Sequence, residues 1–81
     1  MPRTRVESAI TAKTNARAFT KALGALTERR PNQWRMIASV AQRLVVEWPA
    51  AEKAALQAEA KGWLIVEAGH SVCLTEAGRK L

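Results

Sequence analysis

Gly62-Trp63-Leu64-Ile65-Val66-Glu67-Ala68-Gly69-His70-Ser71-Val72-Cys73-Leu74-Thr75-Glu76-Ala77-Gly78 is the stretch that decides how this chain is read. Trp63-Leu64-Ile65-Val66 and Ser71-Val72-Cys73-Leu74 are rich in strand-favouring residues, and Ala68-Gly69-His70 between them is able to turn. With Val66 set opposite Val72, Leu64 falls opposite Leu74, so one face of the hairpin is apolar throughout. The same alternation turns Ile65 and Cys73 to the other face, where Cys73 is expected to be an inert, partly covered thiol. Downstream, Thr75-Glu76 caps a short final helix that runs to Leu81. Upstream, Gly62 is a strong stop signal for a preceding helix.

That preceding helix is predicted from Pro49 to Lys61, since proline suits a first turn, where its missing N–H costs nothing. Ala51, Ala54, Ala55 and Ala58 form one stripe along it, small enough to let neighbouring helices approach closely. Trp34, Trp48 and Trp63 would then fill the remaining volume. Leu56 falls roughly opposite the alanine stripe, beside Lys53 and Ala60. Three readings of Leu56 stay open: contact with a thymine methyl, packing on a partner, or a helix that faces the other way.

Further back, Asn32 is a good cap, and Trp34, Ile37, Ala38, Ala41 and Leu44 recur at helical spacing, which predicts a helix from Gln33 to about Val45. The first segment reads as a helix from Thr4 to Leu26. Thr4-Arg5-Val6-Glu7 has capping-box spacing, and Ala16, Phe19, Ala22, Leu23 and Leu26 share a stripe. Val6 and Ile10 lie well round from that stripe. Either the helix bends near Thr14-Asn15, or its first turns pack on something else, such as a second copy of the chain, or the segment is an unstructured arm. The expected order is helix, helix, helix, strand, strand, helix: a mainly α domain with a small β-hairpin, residues 1–81 forming one unit and 1–30 a basic N-terminal helix or arm.

Eighty-one residues is near the size at which one hydrophobic core becomes marginal, and the single cysteine rules out an internal disulfide. A lone cysteine, with no apolar run long enough for export or a membrane span, sets the expectation of a cytoplasmic protein. The net charge is +6, and it is unevenly placed. Residues 1–30 hold seven bases against Glu7 and Glu28, whereas residues 31–81 hold six bases and five acids. A basic excess attracts polyanions by counterion release, although a merely soluble basic surface has the same composition.

Together, Gly62-Trp63-Leu64-Ile65-Val66, a short turn and Leu74-Thr75-Glu76-Ala77-Gly78-Arg79 resemble the end of winged helix-turn-helix regulators, notably the MarR-like and PadR-like groups. In those groups a helix ends in Gly plus a large apolar residue, a two-stranded wing follows, and Leu-Thr-x-x-Gly comes next. Ile37 to Leu44 sits where the first helix of their helix-turn-helix would sit, so the resemblance covers about residues 32–81. It implies a winged helix of three helices, a two-stranded wing and a short C-terminal helix, with the third helix in the major groove of DNA. It also implies that the second helix aims its amino end at phosphate, and that the wing lies along the backbone or in the minor groove. This chain departs from the pattern in three ways. Its third helix is alanine-rich, Glu52 and Glu59 offset Lys53 and Lys61, and the Ala68-Gly69-His70 turn lacks an arginine.

The function expected is therefore sequence-specific binding of double-stranded DNA by a homodimeric, nucleoid-associated transcriptional regulator of prokaryotic type. The alternatives are a winged-helix protein-interaction module and a DNA binder without sequence preference. Arg3, Arg5, Arg29 and Arg30 would supply much of the attraction, with Asn32, Gln33 and His70 as further contacts and Lys53 and Gln57 as base readers. Arg29-Arg30 would equally suit the carboxyl end of the first helix, where cations are favoured. His70 is expected at a solvent-facing turn, since no second ligand stands at metal-binding spacing. With no paired carboxylates, Gly-rich phosphate loop or Ser-His-Asp set, no enzyme, cofactor, metal, small-molecule substrate or membrane partner is expected.

Overall fold

A computed structural model describes residues 14–81. Its elements in chain order are α1 (Ala16–Thr27), β1 (Trp34–Met36), α2 (Ile37–Leu44), α3 (Trp48–Ala60), β2 (Leu64–Glu67), β3 (Ser71–Leu74) and α4 (Glu76–Arg79). Among the described residues, four helices thus accompany one antiparallel sheet of three strands, in the order β1-β3-β2. The hairpin has the register expected from its alternation, with Leu64 opposite Leu74 and Val66 opposite Val72. Three residues, Ala68-Gly69-His70, connect the paired Glu67 and Ser71. His70 N–H donates to Glu67 O at 3.1 Å, and Ala68 and Gly69 take φ of 55° and 72°, in the left-handed region.

The second helix is where local pattern misleads. Trp34-Arg35-Met36 forms a strand on the far side of β3, with Trp34 opposite Cys73 and Met36 opposite Ser71. Asn32 sits in a turn at φ 61° and caps no helix, so α2 begins at Ile37 rather than Gln33. Trp34 lies at helical spacing from Ile37 and Ala41, but pairing with a strand distant in sequence overrides that spacing. Ala38, expected in the core, is exposed, while Val40 is fully buried beside Ile37.

β1 also changes the surroundings of Cys73. Flanked by Trp34 on one strand and Ile65 on the other, the thiol is only 6% exposed and does not face solvent. The tryptophans are not the core fillers expected: Trp34 and Trp48 are 40% and 41% exposed, and only Trp63 packs partly against the core. Volume comes instead from Phe19 and Leu23 of α1, Ile37 and Val40 of α2, and Leu64 and Val72 of the sheet. All four alanines of the α3 stripe are buried, so α3 packs closely on α1 and α2.

Helix boundaries follow their caps. Asn15 is the N-cap of α1, its extended backbone accepting Ala18 N–H on Oδ1 at 2.7 Å. The helix therefore starts at Ala16 and neither bends at nor passes through Asn15. The expected helix start at Thr4, with Val6 and Ile10, lies outside the described residues. Two buried threonines of α1, Thr20 and Thr27, satisfy their hydroxyls by donating to the carbonyls of Ala16 and Leu23 four residues back. Pro49 stands in the first turn of α3, and Gly62 follows its end at φ 79°. α4 is shorter than expected and stops at Arg79.

Candidate nucleic-acid interface

The two ends of the sheet differ in how their backbone groups are satisfied. At the Leu74 end, Thr75 N–H donates to Trp63 O at 3.0 Å, and its hydroxyl donates to Gly62 O at 2.5 Å. The same hydroxyl accepts Gly78 N–H at 3.2 Å and caps α4. Gly78 lies so close to the end of α3 that a Cβ there would fall 1.9 Å from Trp63 O. Gly62-Trp63 and Thr75-x-x-Gly78 are therefore two halves of one clasp, which gives the spacing between them a physical reason. Arg29 joins this end, donating from Nη1 to Arg79 O at 3.2 Å, while Arg30 pairs with Glu28 at 3.0 Å.

The other end of the sheet is open. Ile37 N–H donates to His70 O at 2.8 Å, so the amino end of α2 adjoins the hairpin turn. Met36 supplies no side-chain cap, which leaves the other first-turn amides of α2 without one. His70 is exposed, its Nδ1 3.1 Å from Ser71 Oγ. Arg35, not singled out in the sequence, lies two residues before Ile37 at this junction.

Both sheet edges are blunted by side chains. The Ile37–His70 bond makes Arg35 and Val72 the next hydrogen-bonded pair, so Trp34 and Met36 turn their backbone groups to the free edge of β1. There Trp34 O accepts Arg35 Nη1 at 3.0 Å. On β2 the outward amide is that of Val66, and Glu59 of α3 accepts it on Oε2 at 3.0 Å. This contact gives Glu59, read from sequence as an acid offsetting the bases of its helix, a structural task.

α3 presents an outward stripe of Lys53, Leu56, Gln57 and Ala60, spaced i, i+3, i+4 and i+7 and all exposed. Leu56 is 51% exposed, as its position opposite the alanines implied. Lys61 is drawn off to Trp63, its Nζ 5.4 Å from the ring centroid. Of the residues expected to meet DNA, Lys53 and Gln57 come together on α3, and His70 lies at the hairpin turn beside α2. Arg29, Arg30, Asn32 and Gln33 lie toward the opposite end of β3, in and around the loop before β1. Arg3 and Arg5 fall outside the described residues. Signals that would have found Glu59 and Arg35 were absent, because both act on strand edges whose existence depends on the tertiary pairing.

A second surface lies at the α2–α3 corner, where an open apolar groove is lined by Ala38, Gln42, Val45 and Trp48 among others. Val45 is 63% exposed and holds φ 58°, a left-handed conformation that β-branched residues strongly disfavour. Among the described residues no group of three or more His, Cys, Asp or Glu side chains is placed to hold a metal ion, and no helix is long and apolar enough to cross a membrane. No family model, no curated protein and no solved structure matches this chain.

Proposed function

We propose that this chain is a winged-helix module that binds double-stranded DNA, with α3 as the helix laid in the major groove and the β2–β3 hairpin as the wing. The element order α1-β1-α2-α3-β2-β3 and the strand order β1-β3-β2 are compatible with that layout and support the reading. The observation that carries the reading is the outward stripe of α3. Lysine, leucine, glutamine and alanine stand exposed on a helix whose opposite side is seated on four buried alanines. The uncapped amino end of α2 beside the hairpin turn supports it, as a place where amides meet phosphate. A single module covers little DNA, so a homodimer on a palindromic site is part of the proposal, as is a role in regulating transcription.

Fluorescence anisotropy against a selected duplex and against random duplex tests this directly. Tighter binding to the selected duplex, weakening steeply with salt, supports it, and Lys53→Ala should reduce the slope of log K against log salt by about one phosphate contact. Equal affinity for all duplexes would replace it with a DNA binder lacking sequence preference. The competing protein-interaction reading draws on Trp34, Met36 and Ile65, which are exposed on one face of the sheet. It predicts partner capture that survives Lys53→Glu, with no retention on any duplex.

A further inference from the structure

We infer that α3 reads A·T base pairs, with Leu56 and Ala60 sensing thymine methyl groups and Gln57 pairing with adenine; this rests on the DNA-binding reading above. The outward stripe runs from Lys53 to Ala60, about 10 Å of helix at roughly 1.5 Å per residue, or about three base pairs at roughly 3.4 Å each. Its chemistry is narrow. Arginine, the side chain that most often reads guanine, is absent from α3. Cytosine is read by a carboxylate that accepts its amino group, but Glu59 is committed to the Val66 amide and Glu52 is partly buried off the stripe.

What remains is one amide and two apolar groups. Glutamine matches the donor and acceptor pair on the major-groove edge of adenine, and leucine and alanine match only the thymine methyl. Lys53, at the amino-terminal end of the stripe, suits phosphate or a flanking guanine. Leu56 is the decisive residue. A leucine this exposed gains nothing from water, and a groove floor of thymine methyls is an apolar surface that would cover it.

The test uses the full-length chain. Selection from a randomised duplex pool should return a core of about three base pairs dominated by A·T. Replacing its thymines by deoxyuridine, which removes only the methyl, should weaken binding about fourfold per contacted methyl, the equivalent of roughly 0.8 kcal/mol for one buried carbon. Leu56→Ala should bind more weakly and lose the uracil sensitivity at one position while retaining its circular dichroism spectrum, since the side chain is exposed. Gln57→Ala should relax discrimination at the adenine. Specific binding to a G·C core, or wild-type binding indifferent to uracil, would overturn the A·T assignment and leave the DNA-binding reading standing. Failure to bind any duplex would overturn both.

Discussion

The Leu74 end of the sheet is closed and the Ser71 end is open, although both belong to the same three short strands. At the closed end one threonine hydroxyl serves two backbone groups, a glycine lets α4 touch the carbonyl that ends the α3 turn, and Arg29 caps the last helix. At the open end a helix begins without a side-chain cap and the hairpin turn is exposed, and elsewhere α3 shows a leucine to solvent along its outward stripe. The contrast separates stability from recognition within one small domain. Groups satisfied inside the fold have little left to offer a partner, whereas uncapped amides and exposed apolar side chains have their interactions still to make.

The contrast breaks most sharply at Gly78. Gly78→Ala places a methyl against the Trp63 carbonyl, a rigid backbone atom, and should cost about 3 kcal/mol through forced displacement of α4. Chemical denaturation would show it as a lowered midpoint; an unchanged midpoint would mean that α4 docks loosely and that the clasp contributes little. Thr75→Ala comes next. It removes an N-cap and a bond to the Gly62 carbonyl together, and about 2 kcal/mol should be lost. Thr75→Ser keeps the hydroxyl and should recover most of that, which distinguishes the hydrogen bonds from the lost methyl.

The closed end was also the legible end. Gly62, Thr75 and Gly78 are punctuation with local mechanisms, and the hairpin register follows from alternation between Leu64, Val66, Val72 and Leu74. β1 was not legible. Three residues carry no periodicity of their own, and Trp34 fits a helical spacing as well as an alternating one. Missing β1 carried other consequences with it: Asn32 was expected to cap a helix, and Cys73, on the face away from the core as its alternation implied, is more fully covered than expected. The α3 stripe was legible in its spacing, which set Leu56 opposite the alanines, while the buried alanines of the fold decide which side faces inward. The tasks of Glu59 and Arg29 were hidden, because each depends on a carbonyl or amide brought near by tertiary packing.

At the open end the expected effects are smaller and of opposite sign, since its local geometry is unfavourable where the closed end is optimised. Ala68 holds φ 55°, a left-handed conformation that asparagine adopts more readily than alanine. Ala68→Asn should raise stability by about 1 kcal/mol, read as a melting temperature higher by roughly 4–8 °C for a domain of this size. A null result would show that the turn relaxes in solution to a geometry alanine tolerates.

The smallest expected stability effect falls on Arg29, at the closed end. Sequence alone suits Arg29 equally to phosphate and to the carboxyl end of the first helix, yet its guanidinium donates to the last carbonyl of α4, far along β3 from the hairpin turn. A cation at a helix carboxyl end is worth roughly 0.3–1 kcal/mol, so Arg29→Ala should lower stability by about 0.5 kcal/mol. Its effect on duplex affinity should be slight beside that of Lys53→Ala, measured on the same duplex at the same salt. A large loss of affinity from Arg29→Ala with stability intact would reverse the assignment. The DNA would then meet the closed end of the sheet, and the exposed stripe of α3 would be left for a protein partner.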